Sequence, residues 1–239
     1  MLSKKRTRLG TIVRTHFAEL DHPARALRFE AMNVRYRMTA AANLARRAEV
    51  ITLAAGLFDE RGYANVSMEQ IAAAAGIAKP TLYHYFRAKD EILRGIHETF
   101  IDLLLERQDE RIRLGLAPAD LLLGAMTDIF GLMETHRGHV RVFFEHHREL
   151  PDAARQEIRV KRDRYQQLIH DAVTEGIRSG VFRHVDPDAA TLAVFGICNW
   201  AYQWWRPGGA DPAHTAQKMW DLVIRGLTAP GEELNLHRT

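Results

Sequence analysis

Apolar residues recur at helical spacing through almost the whole chain, and the alternation that marks a half-buried strand is nearly absent. Runs of Val, Ile and Thr alternating with polar residues between turns do not occur, so an all-α fold is predicted. Leu44, Ala48, Ile51, Ala55 and Phe58 fall on one face of a helix, which Arg61-Gly62 is expected to end with a left-handed glycine cap. Beyond residue 90 the chain reads as long helices. Their stops are expected at Gly115 to Pro118, His136 to Gly138, Leu150-Pro151, Ser179-Gly180, Asp186-Pro187 and Pro207-Gly208-Gly209. Asp186 and Asp211 each precede a proline, the pattern of an N-cap followed by proline in the first turn.

Composition narrows the class. The 239 residues are 46% apolar and 26% charged, which rules out a disordered or low-complexity chain and permits a substantial core. No run of about eighteen uncharged apolar residues is present, so no membrane span is expected. The single cysteine, Cys198, excludes an intramolecular disulfide and a cysteine-rich zinc site, and fits a reducing compartment. Met1-Leu2-Ser3-Lys4-Lys5 lacks the apolar core of a secretory signal, so a cytoplasmic location is expected.

Charge is distributed unevenly. The formal net charge is +3, yet residues 1–47 carry eleven Lys and Arg against three Asp and Glu. A basic front on a mildly acidic body suits an electrostatic footprint at one end, or a solubilising tail. Residues 1–43 are expected to be a basic, partly disordered extension, with Met32 and Met38 as alternative starts. The remaining divisions are expected at 44–90, 91–229 and a tail over 230–239.

The segment from Val66 to Phe86 carries the chemistry. Ser67 with Gln70 three residues on is a capping-box start. Met68, Ile71 and Ala72 put an apolar face inward, and Ala75 is small where two helices must cross. Gly76 can take the positive φ that a helix-turn-helix corner needs, and Ile77 plugs that corner. Ala78-Lys79-Pro80 opens a second helix, whose Leu82, Tyr85 and Phe86 face the core. Lys79, Thr81, Tyr83 and His84 are left facing outward. That set suits a helix entering a major groove, and Lys89 on the next helix adds a phosphate contact.

These residues resemble the TetR family of bacterial transcriptional regulators. Leu57-Phe58-Asp59-Glu60-Arg61-Gly62-Tyr63, then Leu82-Tyr83-His84-Tyr85-Phe86 and Lys89, match the family's amino-terminal pattern over about residues 44–95. The resemblance implies a three-helix DNA-binding head on a helical ligand-sensing and dimerising body. It also implies a homodimer on a near-palindromic operator, and no enzymatic activity. By position, Ser67, Lys79, Pro80, Thr81, Tyr83, His84 and Lys89 correspond to the family's DNA-contacting places. Pro80 stands where relatives often have a small residue, and it has no backbone N–H to give.

The end of the body is rich in aromatic residues. Phe195 to Ala201 is apolar around nearly every side of a helix, and Val223, Ile224 and Leu227 give the last helix a similar seam. Two such helices per chain would build a four-helix bundle with a symmetry mate, or an intramolecular core. Asn199 to Gly209, followed by Asp221 to Leu227, resembles the family branch that regulates fatty-acid and steroid-fragment breakdown, whose effectors are acyl-coenzyme A thioesters. Steroid-related members carry an Arg where this chain has Gly196, which leaves room for a linear or aromatic acyl chain.

An effector of that kind needs an apolar tunnel and cations for phosphate. Phe143, Phe144 and Trp200 are expected to line the tunnel, with Trp204 nearby; the alternative for both Trp200 and Trp204 is a dimer core. Arg141, Arg148, Arg162, Arg164 and Arg206 are expected to supply the cations. His146 and His147 are adjacent and point roughly 100° apart on a helix, so no metal site is expected from them, nor any bound cofactor. No nucleophile–base spacing suggests an enzyme. The predicted function is a DNA-binding repressor released by an acyl-coenzyme A thioester. The alternatives are a repressor answering a different hydrophobic small molecule, and a DNA-binding protein that has lost sensing.

Overall fold

The computed structural model describes residues 23–206 and 208–228, and their side chains from residue 40 on except at Pro207. All described regular elements are helical. The chain divides into two units, Met1–Glu49 and Val50–Thr239. In the first, the chain is helical from Pro23, and Arg46 pairs with Glu49 at 2.5 Å across one turn. Of the expected extension, residues 1–22 lie outside the described residues, as does the tail over 230–239. Residues 23–43 belong to helix α1, Pro23–Arg61, which starts well before Leu44. The physical reason is that residues 24–55 contain neither proline nor glycine and are rich in Ala and Arg, both strong helix formers.

Within the second unit, α1 buries Val50, Ala54, Ala55 and Phe58 and closes at Gly62. A short 3-10 turn, Tyr63–Asn65, leads to α2, Met68–Ala74. Ser67 Oγ accepts from Gln70 N–H at 3.3 Å, and Gln70 Oε1 accepts from Ser67 N–H at 2.8 Å, so the capping box is complete. Gly76 turns the corner at φ +62°, where any Cβ would be strained, and Ile77 N–H donates back to Ala72 at 3.0 Å. Helix α3, Lys79–Tyr85, follows with Pro80 in its first turn. Leu82 and Phe86 are fully buried in the same core as Phe58 and Ile71, whereas Tyr85 is only half-buried. Truncating a buried phenylalanine of this kind costs about 3–5 kcal/mol.

Helix α4, Lys89–Arg113, runs from this head into the body. The body continues with α5 (Pro118–Thr135), α6 (Arg137–Glu145), a short 3-10 turn (His147–Glu149) and α7 (Asp152–Arg178). It ends with α8 (Pro187–Trp204) and α9 (Pro212–Leu227), whose N-caps are Asp186 and Asp211 as predicted. Helix α5 packs against all five of the other body helices, which is why it is apolar on nearly every side. Its one buried carboxylate, Asp128, is held by Arg107 at 3.0 Å and Arg111 at 2.6 Å, both from α4. Without those partners the buried charge would be strongly destabilising. Cys198 is fully buried on α8, and burial pushes its thiol up to about 12. No helix among the described residues is long and apolar enough to cross a membrane.

Two buried imidazoles lie where α4 and α6 meet the core. His97 is fully enclosed, with Nδ1 3.0 Å from Leu93 O, and burial pulls its pKa down to about 4. His139 is pulled down to about 4 by burial and then by neighbouring His136. The unfolded chain therefore takes up protons that the native chain refuses. Stability is greatest above the ordinary histidine value and declines as pH falls from there towards the native values. Denaturant unfolding at pH 5 and pH 7 is expected to differ by about 2 kcal/mol for each histidine, and H97Q should remove its share.

Candidate nucleic-acid interface and body cavity

The outward face of α3 carries Lys79, Pro80, Thr81, Tyr83 and His84, all exposed, with Tyr83 at 42%. They share that face because Leu82 and Phe86 hold the opposite one in the core. A seven-residue helix is about 10 Å long, and a B-DNA major groove about 12 Å wide admits it. Lys79 is not a free cation. It pairs with Glu69 on α2, and its ammonium lies 5.9 Å from the Tyr83 ring centroid. The hydrogen bond from Lys79, assisted by backbone and Ser67 donors, pulls the Glu69 carboxyl down to about 2. Ser67 is exposed, but its hydroxyl oxygen is engaged as the α2 cap.

Lys89 differs from expectation. Its ammonium donates to the carbonyls of Tyr63 at 2.7 Å and Val66 at 2.8 Å, and sits 4.2 Å over the Tyr63 ring. The Tyr63 carbonyl also accepts the Val66 N–H at 3.4 Å, and the lysine adds a charged donor to it and to the Val66 carbonyl. Two of its three donors therefore brace the head, which leaves at most one for a phosphate. Burial lowers its pKa, consistent with an ammonium that is partly withdrawn from water.

The body holds a cavity of about 350 Å³ walled by α4, α5, α6, α7 and α8. Its walls are aromatic and aliphatic: Phe100, Phe143, Phe144 and Phe195 with Ile101, Leu104 and Ile129. Phe100 and Phe143 are 4.5 Å apart between centroids, and Phe144 stacks on Tyr202 at 5.2 Å and 10°. Tyr165 also lines the cavity, edge-on to Phe195, and its enclosed hydroxyl has no hydrogen-bond partner. Such a donor costs about 1–3 kcal/mol unless something meets it. Polar groups of α7 complete the wall, among them Arg159, Arg162, Asp163 and Gln166. The Arg162 guanidinium lies 5.4 Å from the Phe143 ring centroid.

Of the residues expected at the tunnel and its phosphate end, Phe143, Phe144 and Arg162 line the cavity and six others do not. Trp200 is 66% exposed and Trp204 is 42% exposed. On α8 it is Leu192, Phe195 and Asn199 that reach the cavity, and Trp200, one residue on, is turned about 100° away. Trp204 packs on Phe130 at 6.0 Å, while buried Trp205 donates to Glu134 at 3.1 Å. Arg206 donates to the carbonyls of Trp205 at 3.1 Å and Gln203 at 3.4 Å, so it caps α8 instead of facing a ligand. Arg148 is exposed and outside the cavity. Of the other arginines, Arg164 is tied to Asp109 at 2.6 Å and Arg141 to Asp59 at 2.8 Å, and Arg162 lines the cavity. Tyr165, Arg159, Phe100 and Phe195 were not anticipated. The signal for Arg159 and Phe195 is the i, i+3, i+7 spacing of 159, 162 and 166 on α7 and of 192, 195 and 199 on α8.

Helix α6 joins the two regions. Phe143 and Phe144 face the cavity, while Gly138 and Arg141 face α1 of the head. A Cβ at position 138 would lie 2.8 Å from the carbonyl carbon and oxygen of Ala55, so only glycine permits this approach. Arg141 also pairs with Glu145 at 3.2 Å, forming a small network around Asp59. Replacing Lys89 by Met is expected to cost about 2 kcal/mol in denaturant unfolding, because two partly buried carbonyls lose a charged donor.

Known proteins agree with this layout. Residues 50–96 match the model of the bacterial regulatory proteins of the tetR family, and residues 115–227 that of the tetracyclin repressor-like C-terminal domain. The HTH-type transcriptional repressor KstR2 of Mycobacterium tuberculosis is 29% identical over 189 residues, covering 78% of this chain and 94% of that protein. The TetR family regulator PfmR from Thermus thermophilus superposes with a TM-score of 0.70 at 30% identity, covering 75% of this chain and 99% of that one. AibR, solved with isovaleryl coenzyme A and operator DNA, superposes with a TM-score of 0.65 at 27% identity, covering 76% and 97%. The helix-turn-helix head, the helical body and these matches together make the chain a member of the TetR family, a transcriptional regulator and not an enzyme.

Proposed function

We propose that this protein is a homodimeric, cytoplasmic repressor that leaves its operator when an acyl-coenzyme A thioester enters the body cavity. The observation that carries the reading is an aromatic cavity edged by arginine, on a helix that also touches the DNA-binding head. The apolar walls suit a hydrocarbon or aromatic acyl group, and the arginines suit an anion and disfavour a cationic drug. AibR carries isovaleryl coenzyme A and operator DNA in its solved complex, which supports the same ligand class here.

In this reading the exposed face of α3 enters the major groove. Tyr83, Thr81 and His84 reach base edges or phosphates, and Lys79 exchanges Glu69 for a phosphate or a base. An acyl group wedged against Phe143 and Phe144 displaces α6. Through Gly138 and Arg141 that displacement reorients α1 and with it the head. The ligand favours the displaced state by its differential affinity alone, typically 1–3 kcal/mol of coupling, or about 5–150-fold in operator binding.

The dimer is read from an exposed apolar stripe. Trp200 at 66% and Trp204 at 42% line one side of α8, Leu192 at 62% lies between that side and the cavity, and Leu222 at 68% stands on α9. A patch of that kind marks an interface, and a two-fold partner would cover it with the same helices.

Two measurements test the reading. Gel shift on DNA selected from the region around its own gene should show a complex that octanoyl-coenzyme A or another thioester of a panel dissolves. Y83A together with K79A should weaken that complex about tenfold or more without changing thioester binding; wild-type DNA affinity in the variant removes α3 from the interface. W200D should convert a species of twice the chain mass into single chains in sedimentation, whereas an unchanged mass places the interface elsewhere.

A further inference from the structure

A second cavity, of about 400 Å³, opens between the 3-10 turn His147–Glu149 and the first half of α7. Its wall includes His147, Arg155, Arg159 and Arg162, against one carboxylate, Asp152. Arg159 and Arg162 also line the aromatic cavity, so the two spaces meet at these side chains. The arginines recur at positions 155, 159 and 162, which puts them on one face of α7.

Their present partners are weak. Arg155 pairs with Asp152, whose side chain is 93% exposed. Arg159 lies 3.7 Å from Asp163, with both side chains more than two-thirds exposed. Among the described residues no carboxylate lies within ion-pair distance of Arg162, which rests on Phe143 instead. Elsewhere on α7, Lys161 and Arg164 are paired to Asp102 and Asp109 of α4 at 2.8 and 2.6 Å. The same helix thus fixes its cations on one side and leaves them exchangeable on the other. Exposed pairs contribute about 0–1 kcal/mol, so an incoming dianion displaces them readily.

We infer that this arginine-lined cavity is the seat of the phosphate-bearing nucleotide end of the effector, with the acyl end in the aromatic cavity and Arg159 and Arg162 at the junction. The inference rests on the acyl-thioester reading but assigns a different site, away from the tryptophans and Arg206 at the end of α8. Guanidinium forks bind phosphate oxygens two at a time, and the imidazole of His147 adds a further donor. The arrangement divides recognition by chemistry: the aromatic walls select the acyl chain, while the arginines accept any coenzyme A ester.

The test uses the full chain and three probes in titration calorimetry: octanoyl-coenzyme A, coenzyme A alone, and the octanoyl thioester of N-acetylcysteamine, which has no phosphate. The variant is R155Q, exposed and outside the aromatic cavity, checked for native helicity by circular dichroism. Octanoyl-coenzyme A should bind the native protein about tenfold or more tighter than the truncated thioester, and that gap should narrow as salt rises from about 50 to about 300 mM. The variant should lose about tenfold for both coenzyme A probes and stay within about twofold for the truncated thioester. Arginine-dependent binding of coenzyme A with no gain from the octanoyl group upholds this site and removes the acyl-thioester effector. Truncated-thioester binding with unchanged coenzyme A affinities in the variant overturns this site and leaves the aromatic cavity standing. Failure of all three probes to bind overturns both.

Discussion

The contact between α6 and α1 is the constraint on which the coupling proposed above depends. Gly138 brings the two backbones together so closely that no side chain fits between them, and Arg141 bonds Asp59 one turn further on. The opposite side of the same nine-residue helix is built of Phe143 and Phe144. A helix this short moves as a rigid piece, because its backbone bonds are internal. Whatever shifts the aromatic side must therefore shift the side against the head. Under the proposed function, close packing makes the response discrete instead of graded, since neither neighbour can absorb the displacement by compressing.

The body around that lever is held in two different ways. Apolar burial along α5 supplies most of the cohesion, with Leu122, Met126, Phe130 and Met133 all essentially enclosed. Polar fastenings then set the register. Asp128 bridges α5 to Arg107 and Arg111 of α4, and Glu134 takes both the Trp205 indole N–H and the Gly208 N–H, which ties the end of α8 to α5. These bonds matter less for total stability than for choosing one arrangement among several that an apolar interface alone would tolerate.

The head was legible in the sequence because local rules determine it. Ser67 and Gln70 cap, Gly76 turns, Pro80 starts and Leu82 anchors, and each of these acts within a few residues. The cavity was legible only in part. Phe143 and Phe144 were found from their apolar character, but the same criterion left Trp200 and Trp204 open between the tunnel and a dimer core, and they do not line the tunnel. An aromatic side chain records that it must be covered, not by what, and one step along α8 separates a cavity wall from an exposed stripe. The arginines show the same limit. Arg206 and Arg164 carry the same charge as Arg162, but backbone carbonyls and an acidic neighbour on another helix take up the first two. Such partners are decided by tertiary packing, which spacing along one helix does not encode. Lys89 is a further case: the two carbonyls it braces lie more than twenty residues away in the sequence, at the 3-10 turn and its C-cap.

Cys198 sits fully enclosed in α8, with its thiol held near 12 by burial. Peroxides and electrophiles attack thiolates, and at neutral pH this sulfur is almost never one. As the chain has no other cysteine, oxidative stress in the cell finds no reactive sulfhydryl here to modify. The described fold is thereby insulated from thiol redox chemistry, so oxidising and reducing conditions do not act on it through this sulfur.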